Sequence, residues 1–190
     1  MSSKDVQEHK IRSFFIESTK ATIKGEGIRA VSARNIAKEA GYSYATIYNY
    51  FSDLKELYTF CVVDFIIECR DSVNNVKHPD KPGKESLISK TKAMCNYFIQ
   101  YPGIFELIFT EQMPEIRHNE FINNEIDKLF STIFDDEYKR LSKKRDAEFS
   151  LISNLHRGIV TGLLAKYLLR RTPAEYKEFT GQLEACVKYI

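Results

Sequence analysis

The chain has 190 residues, of which 43% are hydrophobic and 28% are charged, so it can fold as one large or two small globular domains. Its net charge of +2 is too small to indicate nucleic-acid binding by itself. The first ten residues are polar and no apolar run approaches 18 residues, so we expect a cytoplasmic protein without a membrane span. The four cysteines lack Cys-x-x-Cys spacing, which disfavours a disulfide framework or a zinc site.

The N-terminal quarter of the chain predicts three helices in a helix-turn-helix arrangement. Apolar residues at helical spacing predict a first helix that ends at Lys24–Gly27. Ser32 can cap a second helix, Gly41 can take the left-handed conformation that ends it, and Ser43 can cap a third. The third helix runs toward Phe51, and its N-terminal end can enter a DNA major groove. The alternative is an ordinary helical hairpin in a bundle core.

Two blocks of this region resemble a known family: GIRAVSARNIAKEAG at 27–41 and TIYNYFSDLKEL at 46–57. They are similar to the N-terminal domain of the TetR family of bacterial transcriptional regulators. In that family a Tyr-x-Tyr-Phe block ends the recognition helix and a Lys-Glu-x-Leu-type start opens a long fourth helix. The resemblance implies a DNA-binding domain at residues 1–52 and a ligand-binding and dimerisation domain at residues 53–190.

The remainder of the chain predicts helices only. A helix from Asp53 to about Val76 is apolar on most sides, so several partners should bury it. A loop over His78–Lys84 contains two prolines and a glycine. Further helices are predicted over 86–101, 104–109, 115–141, 147–169 and 174–190, with Pro173 at the first position of the last. We therefore predict an all-α fold of about nine helices, with a three-helix N-terminal domain and a C-terminal bundle.

Enzymatic and metal chemistry have little support in the sequence. Glu115 and His118 form a Glu-x-x-His, the spacing of two ligands on one helix in di-iron bundles, but such sites need a second copy that the sequence lacks. His156 lies in an apolar helix, where a hydrogen-bonded core histidine is commoner than a base. No nucleophile elbow, phosphate loop or dinucleotide fingerprint is present. We therefore predict no metal, no cofactor and no enzyme, with a helical-bundle enzyme as the remote alternative.

The third helix must read DNA without cations, because residues 43–51 contain no lysine or arginine. Hydroxyl, amide and methyl groups can contact base edges, while hydroxyls, cations and helix N-termini can hold phosphates. The predicted base-reading residues are Tyr44, Ala45, Thr46 and Asn49. The predicted phosphate contacts are Ser32, Arg34, Ser43, Tyr48, Tyr50 and Lys55, although Tyr50 can equally be a core residue.

Two apolar stripes in the last two helices predict a two-fold homodimer. Each glycine in a helix costs about 1 kcal/mol relative to alanine, so the close approach of a second helix can account for the two glycines of the eighth helix. The alternative is that both stripes close the core of a single chain. The predicted interface residues are Leu151, Leu155, Gly158, Ile159, Gly162, Leu163, Phe179, Leu183 and Val187.

Aromatic side chains with few charges are concentrated between the connector helix at Asp53 and the bundle. Such side chains build pockets for small apolar or aromatic ligands, but they also form plain cores. The resemblance to the TetR family implies that a ligand shifts the connector helix and so the separation of two reading heads. The predicted lining residues are Phe65, Cys69, Met94, Tyr97, Phe98, Tyr101, Phe105, Phe109, Phe130, His156 and Tyr167.

These patterns together predict a homodimer that binds double-stranded operator DNA at a specific sequence and regulates transcription. We expect a repressor that a small apolar or aromatic ligand releases from its operator, with no membrane partner. The alternative is a DNA-binding dimer that responds to no ligand and is controlled by a protein partner.

Overall fold

The computed structural model describes residues 3–110, 118–143 and 145–190 of the chain. Nine α-helices cover most of these ranges, and no strand occurs in them, which confirms the predicted all-α class. The helices are α1 (Ser3–Glu26), α2 (Ala33–Ala40), α3 (Tyr44–Ile47), α4 (Leu54–Asn74), α5 (Lys84–Gln100), α6 (Pro102–Phe105), α7 (Glu120–Leu141), α8 (Asp146–Arg170) and α9 (Tyr176–Lys188). Among the described residues, none of these helices is long and apolar enough to cross a membrane.

The chain forms two compact units. The first unit contains Met1–Phe65 and Tyr101–Asn123, and the second contains Ile66–Gln100 and Asn124–Ile190. Helix α4 therefore begins in the first unit and ends in the second. The predicted boundary between residues 52 and 53 separates two functions, and it stays a prediction.

A buried apolar core holds α1, α2, α3 and the start of α4 together in the first unit. The ring of Phe15 lies among three other aromatic rings, with centroids 5.4 Å from Tyr42, 6.2 Å from Tyr50 and 6.3 Å from Phe51. The neighbouring Phe14 is 42% exposed, so only one of the two consecutive phenylalanines is a core residue. The buried members of this core are Phe15, Ile36, Ala37, Ile47, Phe51 and Leu57.

The end of α1 lies directly against α6, and Gly103 is the point of contact. A Cβ atom at Gly103 would overlap the carbonyl oxygen of Ile23 and would lie 2.9 Å from the Cα of Gly27. Only glycine therefore fits at this position. The ammonium group of Lys24 lies nearby, 5.0 Å from the ring centroid of Tyr101.

A buried polar network joins α5, α7 and α8 in the second unit. Nε2 of His156 lies 2.8 Å from the hydroxyl of Thr91, and Nδ1 lies 2.7 Å from the hydroxyl of Tyr138. Because the Thr91 hydroxyl donates to the carbonyl of Leu87 at 2.6 Å, its oxygen must accept from Nε2–H. Nδ1 then accepts from Tyr138. His156 is neutral, and burial lowers its pKa to about 3.

A buried carboxylate makes a second link between α5 and α7. Glu137 is almost completely buried, and its Oε1 accepts from the hydroxyl of Ser86 at 2.7 Å. The ammonium group of Lys90 lies 2.9 Å from the same oxygen and 3.1 Å from Oε2. The charge of Glu137 is therefore compensated by an ion pair and a hydrogen bond, as a buried carboxylate requires.

Helix α7 begins later than the sequence predicts. Its first residue is Glu120, and the side chain of Asn119 caps it by accepting from the N–H of Ile122 at 3.2 Å. The predicted helix from Glu115 is therefore wrong at its start, because His118 lies in a turn before the cap. Glu115, the other member of the Glu-x-x-His pattern, lies outside the described residues.

Two prolines differ in how they relate to helix ends. Pro102 ends α5, as predicted, and is itself the first residue of α6, where its missing N–H costs no helical hydrogen bond. The prediction that Pro173 starts the last helix is wrong, since that helix begins at Tyr176. The first helical acceptor there is the carbonyl of Glu175, which bonds the N–H of Phe179 at 3.1 Å.

We expect acid to lower the free energy of unfolding through His156. Burial lowers the pKa of His156 from its ordinary value of 6.5 to about 3 in the fold, so between these two pH values the unfolded state binds more protons than the folded state. The stabilisation is complete above pH 6.5 and is lost toward pH 3, by up to about 1.4 kcal/mol per pH unit.

Urea unfolding of His156→Gln should therefore show a flatter pH dependence than the natural chain. His9→Gln, at an exposed position of α1, should leave the slope unchanged, and an unchanged slope in both variants would refute this assignment.

Candidate DNA-binding surface

Helix α2 begins and ends at the residues that the sequence predicts. The hydroxyl of Ser32 accepts from the N–H of Asn35 at 3.2 Å, which satisfies a donor of the first helical turn. Gly41 ends the helix with φ 79° and ψ 24°, in the left-handed region that glycine occupies without a steric cost. The N–H of Tyr42 then bonds back to the carbonyl of Ala37 at 2.8 Å. This tight turn sets the angle at which α3 leaves α2.

Helix α3 is shorter than the sequence predicts. Regular helix covers Tyr44–Ile47 only, and the chain continues in tight turns, with the N–H of Tyr50 bonded to the carbonyl of Ile47 at 2.9 Å. Ser43 precedes the helix in an extended conformation, but its hydroxyl lies 2.8 Å from that of Thr46 and does not cap the backbone. The predicted capping role of Ser43 is therefore wrong. We call Tyr44–Phe51 the recognition segment.

One side of the recognition segment is buried and the other is open to solvent. Ile47 and Phe51 belong to the core, as predicted. Tyr44 is 59% exposed and Tyr48 is 51% exposed, while Thr46 is half-buried. The other exposed members of the predicted DNA-contacting set are Arg34, Ser43, Ala45, Asn49 and Lys55. The contact of these side chains with DNA stays a prediction.

Two members of the predicted phosphate-contacting set have structural roles. Tyr50 packs against the core, and its ring centroid lies 6.2 Å from that of Phe15. This packing favours the core role that the sequence left open for Tyr50. Ser32 is half-buried and uses its hydroxyl to cap α2.

Sequence reasoning missed Arg12, which contacts the C-terminal end of the recognition segment. The guanidinium group of Arg12 donates to the backbone carbonyl of Tyr50 and lies 3.4 Å from a carboxylate oxygen of Glu56. These partners are 38 and 44 residues away along the chain. No local pattern in the sequence indicates a contact over such a separation.

The residues predicted to line a ligand pocket are divided between the two units. In the first unit, Phe65 and Phe105 are fully buried, and the Phe105 ring lies 5.2 Å from that of Phe109. Tyr101 faces the ammonium group of Lys24. This part of the predicted lining is therefore packed among its own members and the end of α1.

The second unit holds the larger share of the predicted lining. His156 uses both ring nitrogens within its own network, so the structure favours a core role for it over contact with a ligand. Tyr167 stacks on Phe179 with centroids 4.5 Å apart, and the hydroxyl of Tyr97 donates to Glu68 at 3.3 Å. The buried members are Cys69, Met94, Tyr97, Phe98, Phe130 and His156. Ligand binding by this set stays a prediction.

All four cysteines are free thiols. Burial is the main cause that raises the pKa of Cys61, Cys69 and Cys95, so these three thiols stay protonated at neutral pH. The thiol of Cys61 lies 3.9 Å from the carbonyl oxygen of Ile16 and helps to pack α4 against α1. A protonated, buried thiol behaves as a small apolar group. Cys69 would therefore contribute an apolar group to the predicted ligand lining.

The predicted dimer residues of α8 lie at the surface of the chain. Leu151 and Leu155 are exposed, and Ile159 is half-buried. Gly158 and Gly162 are also exposed, and a Cβ atom at either position would meet no described atom within 4 Å. Packing inside the described chain therefore does not account for these two glycines.

The predicted dimer residues of α9 lie in the interior instead. Phe179, Leu183 and Val187 are each 1% exposed. A side chain with so little exposed area cannot bury more against a second chain. The structure therefore corrects this part of the prediction, and the stripe on α9 closes the core of its own unit.

Comparison with known proteins finds a family match for the N-terminal part of the chain. Residues 15–59, which include α2 and α3, match the model of the family described as "Bacterial regulatory proteins, tetR family". The chain is also 33% identical, over 85 residues, to the HTH-type transcriptional regulator PksA of Bacillus subtilis (strain 168). This N-terminal part of the chain is therefore similar to the TetR family of bacterial transcriptional regulators. The match to PksA covers 45% of this chain and 42% of PksA, so it spans less than half of that relative.

Solved structures of TetR-family and other regulators share the fold over almost the whole chain. A transcriptional regulator from Rhodococcus sp. Rha1 superimposes with a TM-score of 0.66 at 15% identity, covering 94% of this chain and 95% of its own. A tetR-family transcriptional regulator from Streptomyces coelicolor gives the same TM-score and identity, covering 94% of this chain and 78% of its own. At these identities the similarity shows a common TetR fold.

Proposed function

We propose that this chain is a TetR-family regulator that binds double-stranded operator DNA as a homodimer in the cytoplasm, through the exposed side of its recognition segment. The observation that carries the proposal is the exposure of Tyr44, Tyr48 and Asn49 on a segment whose other side is held in the core. A short helix presented in this way can enter a major groove with its N-terminal end. The match of residues 15–59 to the TetR family model supports the same role.

The chemistry of the recognition segment divides its side chains into two classes. The amide of Asn49 can bond an adenine edge with two hydrogen bonds, and the methyl groups of Ala45 and Thr46 can contact thymine. The hydroxyl of Tyr48 and the cation of Arg34 suit phosphate oxygens. Phosphate contacts position a protein on DNA without reading its sequence, so the two classes should differ in their effect on selectivity.

Two variants test this division. Their binding is measured on a duplex that the natural chain selects from a randomised pool and on a scrambled duplex of the same composition. Asn49→Ala should lose about 1–3 kcal/mol of binding to the selected duplex and should relax base preference. Tyr48→Phe should lower the affinity for both duplexes by the same factor, because a phosphate contact is independent of sequence. Tyr189→Phe changes an exposed tyrosine of the second unit and serves as the control. If neither variant changes affinity or selectivity, the recognition segment is not the reading surface.

The exposed stripe on α8 supports the homodimer. Leu151 and Leu155 give the stripe apolar area, and Gly158 and Gly162 leave room for another backbone to approach. Two-fold symmetry would let the stripe pack on itself in the partner subunit. A dimer can also read two half-sites about 34–36 Å apart, which one recognition segment cannot span.

Replacing Ile159 by glutamate should separate the dimer, because two carboxylates would be buried near the two-fold axis. Light scattering on the natural chain should give twice the chain mass of 22.1 kDa, and Ile159→Glu should give the single mass. Asn124→Glu adds the same charge at an exposed position of α7 and should remain dimeric. A natural chain that stays monomeric at micromolar concentration would refute the proposal.

The finer part of the proposal is that a small ligand releases the repressor from DNA. The interior of the second unit is rich in buried apolar and aromatic side chains, including Met94, Tyr97 and Phe98 on α5, and such interiors suit neutral apolar or aromatic ligands. A ligand changes DNA affinity only through its different affinities for the two conformations. A hundredfold loss of operator affinity therefore needs about 2.7 kcal/mol of coupling.

Reciprocity gives the test of ligand control. A thermal-shift screen of small apolar and aromatic compounds should identify a binder, and the binder should then be titrated into the protein with and without the selected duplex. The duplex should weaken ligand binding by the same factor by which the ligand weakens DNA binding. Equal ligand binding in both titrations would show that the ligand is not the switch and would favour control by a protein partner.

A further inference from the structure

Arg12 of α1 contacts the joint before α4, which we define as residues 50–53 and which includes the last two residues of the recognition segment. Its guanidinium donates to the backbone carbonyl of Tyr50, and Nη2 lies 3.4 Å from Oε1 of Glu56. The guanidinium carbon lies 4.4 Å from the ring centroid of Phe51 and 5.1 Å from that of Phe60. Only 25% of the Arg12 side chain is exposed, so most of it is committed to these contacts.

Glu56 continues the network on the other side of the joint. Its Oε2 accepts from the backbone N–H of Ser52 at 2.7 Å, and its own N–H donates to the carboxylate of Asp53 at 2.9 Å. The hydrogen bond from Ser52 is the main cause that lowers the pKa of Glu56, and the guanidinium of Arg12 lowers it further. The carboxylate is therefore charged at neutral pH and pairs with Arg12.

The joint has little regular structure to fix its conformation. It lies after the end of α3 and before the start of α4, so the direction of the recognition segment relative to α4 depends on its backbone torsions as well as on the packing of Ile47 and Phe51 in the core. Arg12 and Glu56 hold two backbone groups of this joint, the carbonyl of Tyr50 and the N–H of Ser52. Fixing a binding segment in advance strengthens binding, because less conformational freedom is lost in the complex.

We propose that Arg12 is a positioning residue for DNA reading, which holds the joint in the geometry that presents the predicted base-reading residues, Tyr44, Ala45, Thr46 and Asn49, to the base edges and does not itself contact DNA. This inference rests on the proposed function. Arginine suits the role because its planar fork can bond a carbonyl and a carboxylate together while it stacks on aromatic rings. A lysine at this position has a single point charge and cannot make all these contacts at once.

The test compares Arg12→Met with the natural chain on the selected and scrambled duplexes, at a temperature well below the unfolding midpoint of each protein. We expect about a tenfold loss of affinity for the selected duplex, on the scale of one lost charge-assisted hydrogen bond. Affinity for the scrambled duplex and its salt dependence should not change, since no phosphate contact is lost. The affinity of Arg12→Lys for the selected duplex should lie between those of Arg12→Met and the natural chain.

Lys20→Met is the matched control. Lys20 lies on the same helix and pairs with Glu17 and with Asp64 of α4, at 3.1 Å in each case. Its loss should lower stability without touching the joint, so affinity for the selected duplex should stay as in the natural chain. If Arg12→Met also keeps full affinity while folded, Arg12 only stabilises the fold and the inference fails.

Two further outcomes are decisive. An equal loss on both duplexes, with a salt dependence reduced by about one phosphate, would show a direct phosphate contact and overturn the inference. If Arg12→Met does not fold, Glu56→Gln replaces it: the amide can still accept from Ser52 but loses the ion pair, and a loss of affinity for the selected duplex alone is again expected. A pool in which no duplex is enriched would instead overturn the proposed function, which distinguishes the two failures.

Discussion

The burial of Phe15 against the α2–α3 hairpin is the contact on which the first unit depends. Helix α3 has four residues and α2 has eight, and helices this short do not form stably in water without tertiary packing. Both are held because Ile36, Ile47 and Phe51 bury their side chains on the same face of α1. The opposite side of the hairpin has no part in this packing. The core therefore does not constrain the residue types on that side, and tyrosine, alanine and asparagine can stand there without loss of stability.

The parts of this surface that can be predicted from the sequence are those encoded within a few residues of each other. The cap at Ser32, the left-handed turn at Gly41 and the inward direction of Ile47 each follow from local backbone chemistry and helical spacing. The early end of α3 does not follow from local sequence, because the packing of Tyr50 and Phe51 on α1 decides where the helix ends. The network of Arg12 also cannot be predicted from local sequence patterns, since it joins groups that are 38 and 44 residues apart.

Periodicity also cannot say which surface covers an apolar stripe. The stripes on α8 and α9 have the same spacing, yet Phe179 is buried in its own unit and Leu151 is exposed. Packing against a helix of the same chain and packing against a second chain would remove similar apolar area from water, so the sequence does not distinguish them. His156 is the hydrogen-bonded core histidine that the sequence favours, and the sequence cannot show that both of its ring nitrogens bond to side chains of its own unit. Contacts across three helices decide such cases.

Gly103 has a mechanical consequence for the first unit. At this point the backbone of α6 touches the backbone at the end of α1, with no side chain between them. Flexible side chains can absorb a small displacement by changing rotamer, but two backbones in direct contact cannot, and close-packed interiors transmit strain. Residues 102–105 and the end of α1 should consequently move as one rigid piece. A displacement of α6 would therefore be transmitted to α1, which carries Phe15, without passing through α4.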